Sequence, residues 1–455
     1  MNVVTILGWG RLLTAVTLGV HITLSVFGVA MPLMISLAEL LHILRRDTYY
    51  EMLARRWAKG FLLSFAIGAA TGTIVAAELS VVWPRFMAVV GQVVALPFLI
   101  EVIAFFVESA FLGIWLYGWD RFKSPVAHWL TSLPIVVAGP ASAILITLVN
   151  AFMNQPAGFQ LTRTGQVAWA HPWAAMFSAG WSIEVGHVVS SAFTTAGFMI
   201  AGFAAFMLLR QPGHPYYRRE LLIASGVGGV GVLGSVITGD LSGKLLAQIQ
   251  PLKLAAIEGL FHTTRYAPLT IGGVVDRSTE QIVGGLSIPG LLSWLSYWHL
   301  SAPVKGLLAF PRQEWPPLLI HVFFDLMIAF GIYMLVVDAL HWIWPRLRQN
   351  RFMLWLLVLT VPFSWLATEF GWMVDELGRQ PYILYGVLTV SRAITTNQAL
   401  PFVAVVVLLL LALAGAGVVY GLVRLLGADP VPWGPPRTTG KEPLPLRPVS
   451  RKEVR

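Results

Sequence analysis

The sequence predicts an all-α, polytopic membrane protein of nine spans, and three observations carry that prediction. Of 455 residues, 56% are apolar and only 12% charged, against roughly 25% charged in soluble domains. Mean hydropathy is +0.72. The chain spreads 42 Gly and 18 Trp along its length, the usage expected where Gly packs membrane helices and Trp sits at the interfaces. A water-soluble globular fold, disorder, collagen and a disulfide scaffold are excluded.

A spanning helix needs about 20 mostly apolar residues. Nine segments qualify in order: 12 to 44, 57 to 81, 89 to 118, 126 to 153, 184 to 209, 219 to 238, 317 to 341, 352 to 374 and 400 to 426. Met1 to Leu12 has no basic region or small-residue cleavage site, so the first span is expected to be retained rather than cleaved as a signal. Four regions follow: spans one to six in 1–238, a long connection in 239–316, spans seven to nine in 317–426, and a tail in 427–455.

Basic residues in short connections set orientation. The first connection carries Arg45, Arg46, Arg55, Arg56 and Lys59, and alternate later ones carry Arg121 and Lys123, then Arg210, Arg218 and Arg219, then Arg346, Arg348 and Arg351. The intervening connections hold Arg85, Arg163, Arg379 and Arg392. This asymmetry places the N-terminus outside and the C-terminus in the cytoplasm. The net charge of +9 is therefore a topology signal. Nucleic-acid binding needs an exposed basic stripe, and here the basic residues lie between apolar segments.

The connection from Gly239 to Trp315 lies outside on this topology, and loops of that length are usually functional. The tail, with seven prolines from Pro430 to Pro448 and several basic residues, reads as an extended segment facing anionic lipid.

Charges inside a bilayer are costly, so each is a functional candidate. His21, Glu39 and His42 fall in the first span, Glu78 in the second, Glu101 and Glu108 in the third, His187 in the fifth and Asp325 in the seventh. Glu369 and Glu376 belong to the end of the eighth. Glu101 and Glu108 share a helix face two turns, about 10 Å, apart; they suit a proton relay or cofactor contact, or, more plainly, interhelical hydrogen bonds. His21 reads equally as a packing residue. Small neighbours of His187 (Gly186, Ser190, Ser191, Ala192) would admit a flat macrocycle. Absence of cysteine excludes iron–sulfur clusters, thiolate haem ligation and covalent c-type haem, leaving His, Met, Glu and Asp to hold a redox cofactor.

The stretches GRLLTAVTLGVHITLSVFG, FLIEVIAFFVESAFLGIWLYGWDR, LVNAFMNQPAGF, QPLKLAAIEG and DELGRQPYILYGVLT together resemble subunit I of the cytochrome bd-type quinol oxidases, in family order from Arg11 to about Thr395. The resemblance implies a haem protein in a bacterial or archaeal cytoplasmic membrane that oxidises quinol at its outer face and reduces O₂ with cytoplasmic protons, without pumping. It implies two haem b and one haem d, a second oxidase subunit, a possible small single-helix subunit, and ubiquinol or menaquinol as donor. His187 and Met327 look like the axial pair of a low-spin haem b, and His21 and Glu376 like ligands of two high-spin haems; which of these is the d-type is open. Arg379 and Arg11 would meet propionates. Glu101 resembles the carboxylate beside the His21 haem, and Glu108, Ser142 and Asn150 the polar residues of a proton path. Lys253 and Glu258 resemble quinol-oxidising residues of the outer loop: Glu258 suited to accept a hydroxyl proton, Lys253 to stabilise the anion. Without the family, the two read as a charge pair on an amphipathic surface helix.

Three positions depart from the family pattern. Tyr382 replaces the Trp of GRQPW, Asp325 stands where some members have Arg, and Leu13 replaces a Gln of some members. Two other classes remain: a proton-coupled transporter using Glu78, Glu101 and Glu108, which calls for broken helices or an internal repeat that the sequence lacks, and a haem-poor, bd-like quinone-binding subunit of a larger respiratory complex.

Overall fold

The computed structural model describes residues 3–163, 165 and 167–427. Its helices are α1 (Val3–Arg45), α2 (Thr48–Val81), α3 (Pro84–Gly118), α4 (Pro125–Leu130), α5 (Leu133–Asn154), α6 (Pro172–Met176), α7 (Trp181–Arg210), α8 (Pro215–Ile249), α9 (Pro251–Ile257), α10 (Leu291–Tyr297), α11 (Ile320–Ile343), α12 (Arg351–Gly378), α13 (Val390–Ala393) and α14 (Leu400–Gly427). Among the described residues nine spans are long and apolar enough to cross a membrane, with α4 and α5 together forming the fourth. The polytopic helical fold is as the sequence predicts. The tail expected in 427–455 lies, beyond Gly427, outside the described residues.

Successive spans alternate in direction, so one end of the bundle gathers the basic connections. There Asp47 caps α2, its side chain accepting from the Tyr49 N–H, and also takes a 2.5 Å ion pair from Arg219 at the start of α8. Asn350 caps α12 in the same way through Phe352. The same end is packed by Met34, Leu53, Trp57, Phe61, Trp115, Ala204, Tyr217 and Leu357, all buried. Prolines inside α1, α3, α5 and α12 are tolerated because neighbouring helices re-satisfy the freed backbone groups. α7 and α8 approach closely at Gly197 and Gly228: a Cβ on Gly197 would lie 2.5 Å from the Gly228 nitrogen, the small-residue contact typical of membrane helices.

Several helices outrun their apolar cores. α8 continues to Ile249, past the expected end near residue 238, because Asp240 and Lys244 pair one turn apart and carry the helix through a polar stretch. The connection that remains, between Ile249 and Ile320, has its own core of Leu254, Ala255, Ile257, Phe261, Leu292 and Leu307, closed against Ile320 of α11. Within it β3 (Leu269–Ile271) pairs antiparallel with β6 (Leu286–Ile288), and β4 (Val274–Asp276) with β5 (Gln281–Val283). Two further small ladders, β1 (Phe159–Leu161) with β2 (Val167–Ala170) and β7 (Tyr382–Leu384) with β8 (Leu388–Thr389), lie in other connections at this end.

Candidate functional site: a loop helix seated on the ends of α5, α11 and α12

α9 begins at Pro251, ends at Ile257 and is capped by Glu258, so Lys253 lies in its first turn and Glu258 just past its last. Both are buried, at 5% and 7% exposure, so α9 is not the amphipathic surface helix that composition alone would allow. Nor do the two charges pair. Lys253 Nζ lies 2.6 Å from Asp375 Oδ1 and 3.3 Å from the Asp375 carbonyl. Gly378 makes room for the lysine stem, since a Cβ there would stand 2.7 Å from Lys253 Cε.

Asp375 opens a chain of polar contacts. Asn154 Nδ2 donates to it at 3.2 Å and to Asn150 Oδ1 at 2.9 Å. Asn150 Nδ2 donates to Glu376 Oε1 at 2.8 Å, and Arg379 Nη2 to Glu376 Oε2 at 2.6 Å. Gln250, just before α9, donates to the Asn154 carbonyl at 2.6 Å. Arg11 reaches the same segment through Gln380 Oε1 at 3.0 Å. Lys253, Asn150, Glu376, Arg379 and Arg11 thus converge, joined by two residues the sequence reading did not single out, Asp375 and Asn154. Asp375 stood in DELGRQP beside Glu376; its charge at the end of an apolar helix was the available signal.

On the other side of α9, the Asp325 carboxylate accepts from the Gly272 N–H at 2.5 Å. His321 faces the carbonyls of Ile257 and Gly272 at 2.8 and 3.3 Å. These residues of α11 tie the strand loop to the bundle. Burial, and then the nearby Asp325 carboxylate, push the Glu258 carboxyl up to about 8.

The two candidate histidines share a local design. His187 Nδ1 lies 3.0 Å from Thr238 Oγ1, and that hydroxyl donates to the Gly234 carbonyl at 2.7 Å. His21 Nδ1 lies 3.1 Å from Thr71 Oγ1, which donates to the Gly68 carbonyl at 2.9 Å. With the hydroxyl proton committed, each Nδ1 is the donor and each Nε2 keeps its lone pair, the tautomer a metal ligand needs. The Nε2 of His21 is covered at 3.2 Å by Ser25 Oγ. Small residues border both rings: a Cβ on Gly239 would sit 3.5 Å from His187, one on Gly72 3.0 Å from His21. Met327 turns toward α12, with its sulfur 3.2 Å from where a Gly371 Cβ would be. Arg379, 2% exposed, leaves Nε and Nη1 without a hydrogen-bond partner, as an acceptor such as a propionate would suit. Single ligands on separate helices, a free imidazole nitrogen and an under-satisfied buried guanidinium together fit haem. Among the described residues no group of three or more His, Asp or Glu is arranged to hold a bare ion.

Deeper in the bundle Ser142 donates to Glu101 Oε1 at 2.8 Å, linking α5 to α3. Glu108 is 3% exposed, faces Gly139, and has one carboxylate oxygen without a partner. Glu78, Glu369 and Glu39 are held by Thr17 at 2.6 Å, Thr23 at 2.8 Å and His128 at 2.6 Å.

The family model for cytochrome bd terminal oxidase subunit I matches residues 9–430. A protein of Bacillus subtilis (strain 168), provisionally named cytochrome bd menaquinol oxidase subunit I, is 39% identical over 429 residues, covering 92% of this chain and 96% of its own. The cytochrome bd ubiquinol oxidase subunit 1 of the same organism is 28% identical over 396 residues, 83% of each chain. A chain in the structure of bd oxidase from Geobacillus thermodenitrificans superposes with a TM-score of 0.90 at 38% identity, covering 94% of this chain and 100% of that one.

Proposed function

Because this chain belongs to the cytochrome bd terminal oxidase subunit I family, a family of quinol oxidases, we propose that it oxidises quinol beside α9 and supports reduction of O₂ to water within the bundle. The observation that carries this reading is the burial of Lys253, bonded to Asp375 of the helix that bears Glu376, and of Glu258, near Asp325 of the helix that bears Met327.

In this reading the quinol hydroxyl lies between the two ends of α9. Glu258, once ionised, accepts its proton, and the Lys253 ammonium stabilises the oxygen anion left behind. His187 and Met327 would hold a low-spin haem b, and His21 and Glu376 two high-spin haems, one b and one d, with Arg379 and Arg11 as partners for propionates. Haem held there supplies the one-electron chemistry that joins quinol oxidation to O₂ reduction. The neutral thioether of Met327, as a ligand beside the His187 imidazole, would favour the reduced state of such a haem.

Glu108, Glu101 and Ser142 carry protons inward from the basic end. With the N-terminus outside and the basic connections in the cytoplasm, proton release beside α9 and uptake through Glu108 separate charge without a pumping element. A second oxidase subunit, and a small single-helix one, complete the assembly. The 39% identical relative is named for menaquinol and the 28% identical one for ubiquinol, so menaquinol is the donor we propose. Pyridine haemochrome analysis of the purified complex, with O₂ uptake driven by menaquinol and ubiquinol analogues, tests all of this. Haem b and d with quinol-dependent uptake are expected; a complex with no haem and no such uptake overturns the reading.

A further inference from the structure

We infer that Asp375 is a positioning residue for quinol, acting through Lys253: it fixes the ammonium so that one N–H remains aimed at the substrate oxygen. The inference rests on the quinol-oxidase reading of α9. A lysine ammonium has three donors and no acceptor. Two are directed at Asp375, one to its carboxylate at 2.6 Å and one to its carbonyl at 3.3 Å. One donor is left.

The placement of Asp375 is over-determined. Asn154 Nδ2 bridges its two carboxylate oxygens at 3.2 and 3.5 Å, and Arg379 Nη1 stands 3.9 Å from Oδ2. Asn154 is itself tied to Gln250 through its carbonyl and to Asn150 through its side chain. The lysine stem is confined from the other side by Gly378. Among the described residues Asp375 is the carboxylate in ion-pair distance of Lys253, with Glu184 of α7 a further carboxylate near the same group, so the nearest charge that makes burial of the ammonium tolerable comes from α12 and not from Glu258 on its own helix. An isosteric amide at this position would keep the shape and lose that charge. The ammonium would then be free to swing, and quinol would meet a less well-aimed donor.

The test uses the intact complex carrying Asp375→Asn or Asp375→Glu, with menadiol and reduced decylubiquinone as probes. For Asp375→Asn the KM for menadiol is expected to rise about thirtyfold, the low end of what losing one partner of a buried charge pair costs. Its kcat for menadiol should fall as well, because the same donor steadies the anion formed on proton transfer, whereas its reduced-minus-oxidised spectrum and its O₂ uptake with reduced tetramethylphenylenediamine should match wild type. Asp375→Glu should recover most of the KM. A structural role alone would lower haem content and donor-independent uptake together, and that outcome overturns the inference. An unchanged KM in Asp375→Asn, with wild type active on quinol, overturns the inference alone. Wild-type complex that takes electrons from the amine donor but from neither quinol overturns the reading of α9 as well.

Discussion

Asn150 on α5 donates to the Glu376 carboxylate on α12 at 2.8 Å, while Arg379 holds the other oxygen of the same group at 2.6 Å. A residue expected in a proton path and a residue expected to ligate haem are thus one hydrogen-bonded unit. Replacing Asn150 by Leu should leave one oxygen of Glu376 unsupported. A shift in the high-spin haem bands and an activity loss of about tenfold are expected, the size typical for an outer partner of a metal ligand. Unaltered difference spectra would count against Glu376 as a ligand.

The Thr238-backed imidazole of His187 and the sulfur of Met327 are expected to act as a pair. His187→Ala and Met327→Leu should each remove the low-spin haem band while high-spin bands persist. Thr238→Val, which removes the acceptor for Nδ1, should weaken haem retention by about tenfold, read from pigment per polypeptide.

Glu258 sets a pH dependence. Its carboxyl is pushed up to about 8, and the base that accepts a quinol proton is the ionised form. Quinol oxidation should therefore rise with pH toward about 8, and this limb should vanish in Glu258→Gln along with most of the rate. Folding carries the matching sign. The native chain holds a proton that the unfolded chain releases, so the contribution of this group is fully present below its ordinary value of 4.5 and is lost as pH rises through about 8. Thermal unfolding of wild type and Glu258→Gln across that window checks it: the variant should lose less stability between pH 5 and 9.

Glu108→Gln keeps the volume but cannot ionise. If Glu108 and Glu101 carry protons, this change should slow O₂ reduction by about a hundredfold or more, the range of a lost acid–base group, with quinol binding unchanged. Ser142→Ala removes one donor to Glu101 and should cost about tenfold or less. Rapid-mixing kinetics with pre-reduced complex separate the two steps.

Gly197→Ala places a methyl group 2.5 Å from the Gly228 nitrogen and 2.6 Å from its Cα, where backbone cannot yield. Overpacking of this kind costs about 1–3 kcal/mol. α7 carries His187, so a lower melting temperature should come with lower low-spin haem content.

Nine spans were legible in the chain because the cost of placing residues in hydrocarbon adds up locally, over windows of about 20 residues. Charged residues within those spans marked His21, Glu101, Glu108 and His187 for the same reason, and motif order supplied Met327, Lys253, Glu258 and Arg379. Helix ends were less legible. α8 passes through Gly239 and Asp240 because Lys244 answers Asp240 one turn later, a pairing that a hydropathy window averages away. Tertiary structure alone decided who stands beside whom. Lys253 meets Asp375 rather than Glu258, Glu376 meets Asn150, and each imidazole meets a threonine on a neighbouring helix. Hydropathy is a property of each segment and can be summed along it, whereas a hydrogen bond depends on the rotation and depth of two helices at once, and those are set only when all the spans pack together.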